Sequence, residues 1–187
     1  MPTDRQKVYR QLLAVRCRNG DPEAANDLLA EFQRPLLYYL RRLLGSEDDA
    51  WDCLQETWIS AMRGLRWLRA PLALTAFLYR TARNHALAHL RRQRASGAMI
   101  ESLPPQVEST DGETAFQAED AAMVHAALDR VSLLHREVLT LFFLDDLTIA
   151  EVAQVLSIPE GTVKSRLHHA KRALREVLNQ MGYRHVE

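Results

Sequence analysis

The residues best placed to do chemistry lie near the C-terminal end. Thr162, Lys164, Ser165, Arg166, His168, His169 and Arg172 follow Gly161 closely, and each carries a hydrogen-bond donor. Donors without a paired nucleophile and base suit recognition rather than catalysis. At 100° per residue, Val163, Leu167, Ala170, Leu174, Val177 and Leu178 fall on one apolar edge. Gly161, Ser165, His168, His169 and Arg172 point the other way, with Thr162, Lys164 and Arg166 flanking them. A helix anchored along one edge, small and donor-rich on the other, is what reading a DNA major groove requires. Gly161 and Ser165 allow close approach, and the flanking cations can take phosphates. Just upstream, Thr148 and Glu151 form a T-x-x-E capping box, and Ile149, Val152, Ala153 and Leu156 form a short apolar face. Ser157-Ile158-Pro159 breaks the pattern, and Pro159 suits the first turn of the next helix. The pair reads as a helix-turn-helix. The plainer alternative is a two-helix corner with a solvated basic face.

Two further faces carry charge. On a helix expected from about Leu74 to Arg94, Arg80, Arg83, Asn84, Leu87, Arg91 and Arg94 share one side, and no acid occurs between Pro71 and Ile100. One-sided arginines at this spacing can track phosphates, although similar helices also occur without a ligand. The preceding helix has an unbroken apolar stripe: Ala50, Cys53, Leu54, Thr57, Trp58, Ala61, Met62 and Leu65. Opposite it lie Asp48, Asp52, Gln55, Glu56 and Ile59. That face fits docking on a basic partner, or simple solvation.

The elements that must position these faces are helical. The chain has 187 residues, 47% of them hydrophobic, with few β-branched runs, which suits an all-α protein of one domain or two small ones. Formal net charge is zero, so DNA binding must come from local segregation of charge. Asp21 and Pro22 open a helix whose period Pro35 interrupts, predicting a kink there, and Ser46 caps the acidic helix. From Arg94 to Asp120 no period is sustained, Pro104 and Pro105 intervene, and every charge after Arg94 is acidic. The expected organisation is an N-terminal helical domain over 1–95, a flexible acidic linker over 96–119 and a C-terminal helix-turn-helix domain over 120–187.

Other classes find little support. No apolar run is long enough to span a membrane, and the N-terminus lacks the apolar core of a signal peptide. Cys17 and Cys53 lack metal spacing and fit a reducing cytoplasm. There is no H-E-x-x-H and no glycine-rich phosphate loop. His85 and His89 stand four apart with no acidic or thiol ligand nearby in sequence. No metal, cofactor or enzymatic activity is expected.

The stretch REVLTLFFLDDLTIAEVAQVLSIPEGTVKSRLHHAKRALRE closely resembles the promoter-reading domain of bacterial extracytoplasmic-function sigma factors. DDAWDCLQETWISAM is similar to the family's polymerase-docking helix, and AFLYRTARNHALAHLRR to its helix for the −10 element. The resemblance spans about residues 21–180. It implies a transcription initiation subunit whose partners are core RNA polymerase and double-stranded and melted promoter DNA, with restraint by an anti-sigma factor. By position, Asp52, Gln55 and Glu56 fall in the docking motif. Arg80, Arg83, Asn84, Arg91 and Arg92 fall in the −10 helix, although the face analysis puts Arg92 nearer the buried side. Lys164, Ser165, Arg166, His168 and His169 fall in the −35 reader. The loop that holds a flipped base in the family is usually polar. Here it reads RWLRAPLALT, in which Trp67 can stack on a base. His169 stands where arginine is common. A rival reading is a stand-alone helix-turn-helix regulator, but the first unit does not look like a sensor or dimerisation domain. Two basic helices joined by an acidic linker also predict that the free chain masks its DNA-binding surfaces, the −35 reader included, until polymerase holds the domains apart.

Overall fold

In the computed structural model, the described residues are 3–68, 70–96 and 115–183, with 115–120 as backbone only. They form an all-helical fold. The N-terminal unit comprises α1 (Asp4–Arg18), α2 (Pro22–Leu44), α3 (Glu47–Leu65), a 3-10 turn (Pro71–Ala73) and α4 (Leu74–Ala95). The C-terminal unit comprises α5 (Ala115–Arg130), α6 (Leu133–Leu139) continuing as a π-helical turn (Thr140–Leu144), α7 (Ile149–Leu156) and α8 (Glu160–Gln180).

Local chemistry explains the boundaries. The Asp21 carboxylate accepts hydrogen bonds from the Glu23 and Ala24 amides, Pro22 stands in the first turn, and Gly45 ends α2 in the left-handed region at φ 74°. Ser46 accepts from the Asp49 amide and starts α3. The Thr148–Glu151 capping box forms as expected, and Ser157 closes α7 at φ 56°. Pro159 occupies the N-cap position of α8, one place earlier than a first-turn proline.

Pro35, where a kink is expected, lies within α2, and the helix continues through it from Pro22 to Leu44. Two expectations need correction. Helix α1 was not anticipated. Its signal was a second capping box, in which Thr3 and Gln6 bond each other's backbone amides. Helix α5 begins at Ala115, inside the span assigned to the linker. The rest of that linker, 97–114, lies outside the described residues.

The apolar stripes converge on one core that runs through both units. Leu28, Phe32, Leu36 and Leu40 of α2 meet Cys53, Leu54 and Leu65 of α3 and Leu78, Ala82 and Ala86 of α4, all buried. In the C-terminal unit, Val152, Val155, Val163, Leu167 and Ala170 close around Val138 and Leu141. Burial of each large aliphatic side chain contributes roughly 1.5–3 kcal/mol. Helices α3 and α4 approach closely at Gly64, where an added Cβ would lie 2.7 Å from the Phe77 ring. Helix α7 lies along α4, so the two units are docked.

Candidate nucleic-acid interface

Helix α8 presents its expected face. Gly161, Thr162, Lys164, Ser165, His168, His169 and Arg172 are exposed, and Arg166 is half-buried. Arg172 bonds Glu176 at 3.0 Å, an exposed pair one turn on that water and salt weaken. The His168 and His169 rings meet edge to face, with centroids 5.5 Å apart. A Cβ on Gly161 would meet nothing within 4 Å. The fold therefore does not require a glycine there, and glycine within a helix costs about 1 kcal/mol relative to alanine. Its smallness serves whatever approaches from outside. Val163, Leu167 and Ala170 bury the other edge against α6 and α7.

Helix α4 is less simple. Arg80, Asn84, Arg91 and Arg94 are exposed. Arg83 and Leu87, expected on the same open face, are half-buried. Leu87 packs against the core. Arg83 turns towards the C-terminal unit, with Nε 2.7 Å and Nη2 3.4 Å from the two carboxylate oxygens of Glu137. Burial opposes the Arg83 charge, but the Glu137 bond and its field push the guanidinium pKa up. Arg92, expected nearer the buried side, is exposed and lies 4.0 Å from Glu56. Ahead of α4, Trp67 is 82% and Leu72 73% exposed, leaving two large apolar side chains in water on the loop.

The acidic face of α3 is open at Asp48, Asp52, Gln55 and Ile59. Glu56 is exposed but engaged, its carboxylate 3.0 Å from His85 Nδ1. His89 lies 3.2 Å from Asp49. Folding thus brings acids to both histidines, which the sequence order hid. No metal-binding group of three or more histidine, cysteine or acidic residues forms among the described residues. The other His85 nitrogen lies 2.9 Å from the Ser60 hydroxyl. This Ser-His-Glu line lacks oxyanion donors, because Ser60 sits mid-helix with its neighbouring amides committed to the helix.

Sequence reasoning missed the polar contact between the units. Glu137 is 3% exposed and accepts a 3.0 Å hydrogen bond from the buried Tyr39 hydroxyl as well as those from Arg83. Arg42, only 1% exposed, donates to the His125 carbonyl at 2.7 Å and pairs with Asp129 at 3.2 Å. Arg136 donates to the Leu128, Asp129 and Arg42 carbonyls. The available signal was a charge inside an apolar run: Arg42 in YYLRRLL and Glu137 in LLHREVLTLFF. A buried charge needs a partner, and here the partners lie on the opposite unit.

Known proteins share this arrangement. Residues 28–96 match Sigma-70 region 2, and residues 121–174 match Sigma-70, region 4. The chain is 30% identical over 183 residues to the RNA polymerase sigma-H factor of Pseudomonas aeruginosa, covering 91% of this chain and 94% of that one. It is 32% identical over 178 residues to the ECF RNA polymerase sigma factor SigM of Mycobacterium tuberculosis, covering 95% and 88%. Among solved structures, CnrH in complex with the cytosolic domain of CnrY superposes with a TM-score of 0.69 at 22% identity, covering 91% of this chain and 97% of that one. The sigma factor RpoE of Bartonella quintana, in complex with the anti-sigma factor NepR, gives 0.70 at 23%, covering 82% and 96%. The chain belongs to the ECF RNA polymerase sigma factors.

Proposed function

We propose that this sigma factor divides its work among three faces. The outward side of α3, with Asp48, Asp52, Gln55, Glu56 and Ile59, docks on core RNA polymerase. Helix α4 and the loop before it contact the −10 element through Arg80, Arg83, Asn84, Leu87, Arg91 and Arg94, with Trp67 stacking on an unpaired base. Helix α8 enters the major groove of the −35 element through Gly161, Thr162, Lys164, Ser165, Arg166, His168, His169 and Arg172. The observation that carries this reading is the outward face of α8, donor-rich and unobstructed at a glycine its own fold does not need. The N-terminal domain (1–95) and the C-terminal domain (120–187) then act as separate contacts on one promoter, joined by the acidic linker (96–119). The work is done in the cytoplasm with polymerase, and no described helix is long and apolar enough to cross a membrane. One solved neighbour is held by the anti-sigma factor NepR, which supports a similar restraint on this chain.

The docking assignment is tested by Asp52→Arg with Glu56→Arg. Co-purification with core polymerase should be lost while helicity is retained, because both carboxylates are exposed. Retained co-purification would refute the α3 assignment.

A further inference from the structure

Two acids of α3 are met by histidines of α4, and they are met differently. Asp49 has both oxygens engaged. Its Oδ1 lies 3.2 Å from His89 Nε2, and its Oδ2 accepts a 2.9 Å hydrogen bond from Gln93 Nε2. Its side chain is 26% exposed, so it ties the two helices together. Glu56 is 46% exposed on the outward side of α3. Both of its contacts from α4 fall on one oxygen, Oε2, which lies 3.0 Å from His85 Nδ1 and 4.0 Å from the Arg92 guanidinium. That leaves Oε1 for a donor from outside. The His85 ring is itself fixed, because its Nε2 lies 2.9 Å from the hydroxyl of Ser60, one turn further along α3. With Nδ1–H donating to the carboxylate, Nε2 of the neutral ring accepts from the Ser60 O–H, and both ring nitrogens are satisfied. A glutamate on an open helix face otherwise turns freely about its side-chain bonds, and a partner that grips it must stop that motion. Here α4 has stopped it in advance.

We propose that His85 is a positioning residue for polymerase docking: it holds Glu56 by Oε2 so that Oε1 meets a cationic side chain of core RNA polymerase from one fixed direction. This rests on the docking reading of α3. His85 acts only through Glu56, and it does so from a helix otherwise given to DNA. Ser60 supports it by fixing the ring.

The test reads the affinity of the full chain for core RNA polymerase, by displacement of fluorescently labelled wild-type chain. His85→Leu removes both ring contacts and should weaken binding by about 3- to 10-fold, the range expected when one long side chain must be immobilised on association. His85→Asn keeps an amide nitrogen at the place of Nδ1 and should recover most of that loss. His85→Gln, whose amide nitrogen stands at the place of Nε2, should not. In a Glu56→Ala background, His85→Leu should cost nothing further. A loss of the same size in both backgrounds means that His85 only packs α4 on α3, and overturns the proposal. So does unchanged affinity in His85→Leu where Glu56→Ala alone weakens binding. If His85→Leu fails to fold, the comparison of His85→Asn with His85→Gln decides, and equal affinities for those two overturn it. Unchanged affinity in Glu56→Ala alone refutes the docking role of Glu56, and the proposal with it.

Discussion

Helices α4 and α8 carry the same sequence device, cations on one side and an apolar edge on the other, yet they end in different situations. Helix α8 rests on α5, α6 and α7, all of its own unit, and its donor face is exposed apart from half-buried Arg166, with Arg172 paired to Glu176 of the same helix. Helix α4 has α3 on one flank and α7 on the other. Only a strip between them, centred on Arg80, Asn84 and Arg91, stays open. A periodic pattern says which side of a helix seeks the core. It does not say how many neighbours arrive, and a polar flank can be covered when the neighbour brings an opposite charge. Glu137 does this to Arg83. Among the described residues the C-terminal unit covers Arg83 of α4 and leaves the donor face of α8 open, while residues 97–114 of the expected acidic cover lie outside them.

The largest expected effect separates the two helices directly. Ser165→Glu places a carboxylate at the centre of the open α8 face, where phosphates and base edges approach. Binding of the free chain to duplex DNA should fall by about 10- to 100-fold, since each lost base contact alone is worth roughly 1–3 kcal/mol. Asn84→Glu, the equivalent insult on α4, should cost less than about threefold in the same assay, because α4 contributes little while partly covered. Anisotropy at fixed salt measures both, and equal losses would erase the distinction between the helices. A smaller change sharpens the α8 side. His169→Arg should shift the preferred −35 sequence toward guanine, because guanidinium can bond two acceptors on that base. Selection from a randomised promoter library reads the preference, and an identical motif for both proteins would remove His169 from base reading.

The same contrast explains what could be read from sequence. Helix α3 was legible from its unbroken apolar stripe, and α4 from cations at helical spacing with no acid among them. The helix-turn-helix was legible from its T-x-x-E box and Pro159. Helix α1 was missed because its sequence, DRQKVYRQLLAVRCR, mixes charge around the whole helix and buries only Leu13 and Ala14. Exposed site residues on α8 were legible because a surface is what remains once the core edge is assigned. Arg83, Arg42 and Glu137 were not, because their partners lie 54 to 98 residues away and only the docking of two units joins them. The acids beside His85 and His89 were hidden for the same reason, lying on the neighbouring helix.

The smallest expected effect concerns a second point of contact between the units. Asp145 follows the π-helical turn, and Tyr79 belongs to α4. Burial pushes the Asp145 carboxyl well above its usual range, against the pull of the Tyr79 hydrogen bond, and Asp146 beside it pushes the same way as burial. Its other oxygen has no hydrogen-bond partner, so ionising it in place would leave a buried charge poorly compensated. Unfolded aspartate loses its proton near pH 4. Above that pH the folded chain binds more protons here than the unfolded chain, so stability falls as pH rises from about 4 towards the raised folded value. A salt-bridged carboxylate behaves in the reverse sense and in a lower window, its contribution growing as pH rises to about 4 and staying level above it. Asp145→Asn keeps a polar group of similar size and cannot ionise. Its melting temperature should match wild type near pH 4 and exceed it by a few degrees at pH 7–8, since about 1 kcal/mol moves a chain of this size by roughly 2–4 °C. Melting curves taken from pH 4 to 8 decide it. Parallel curves for the two proteins would mean that Asp145 ionises as easily in the docked interface as in the unfolded chain.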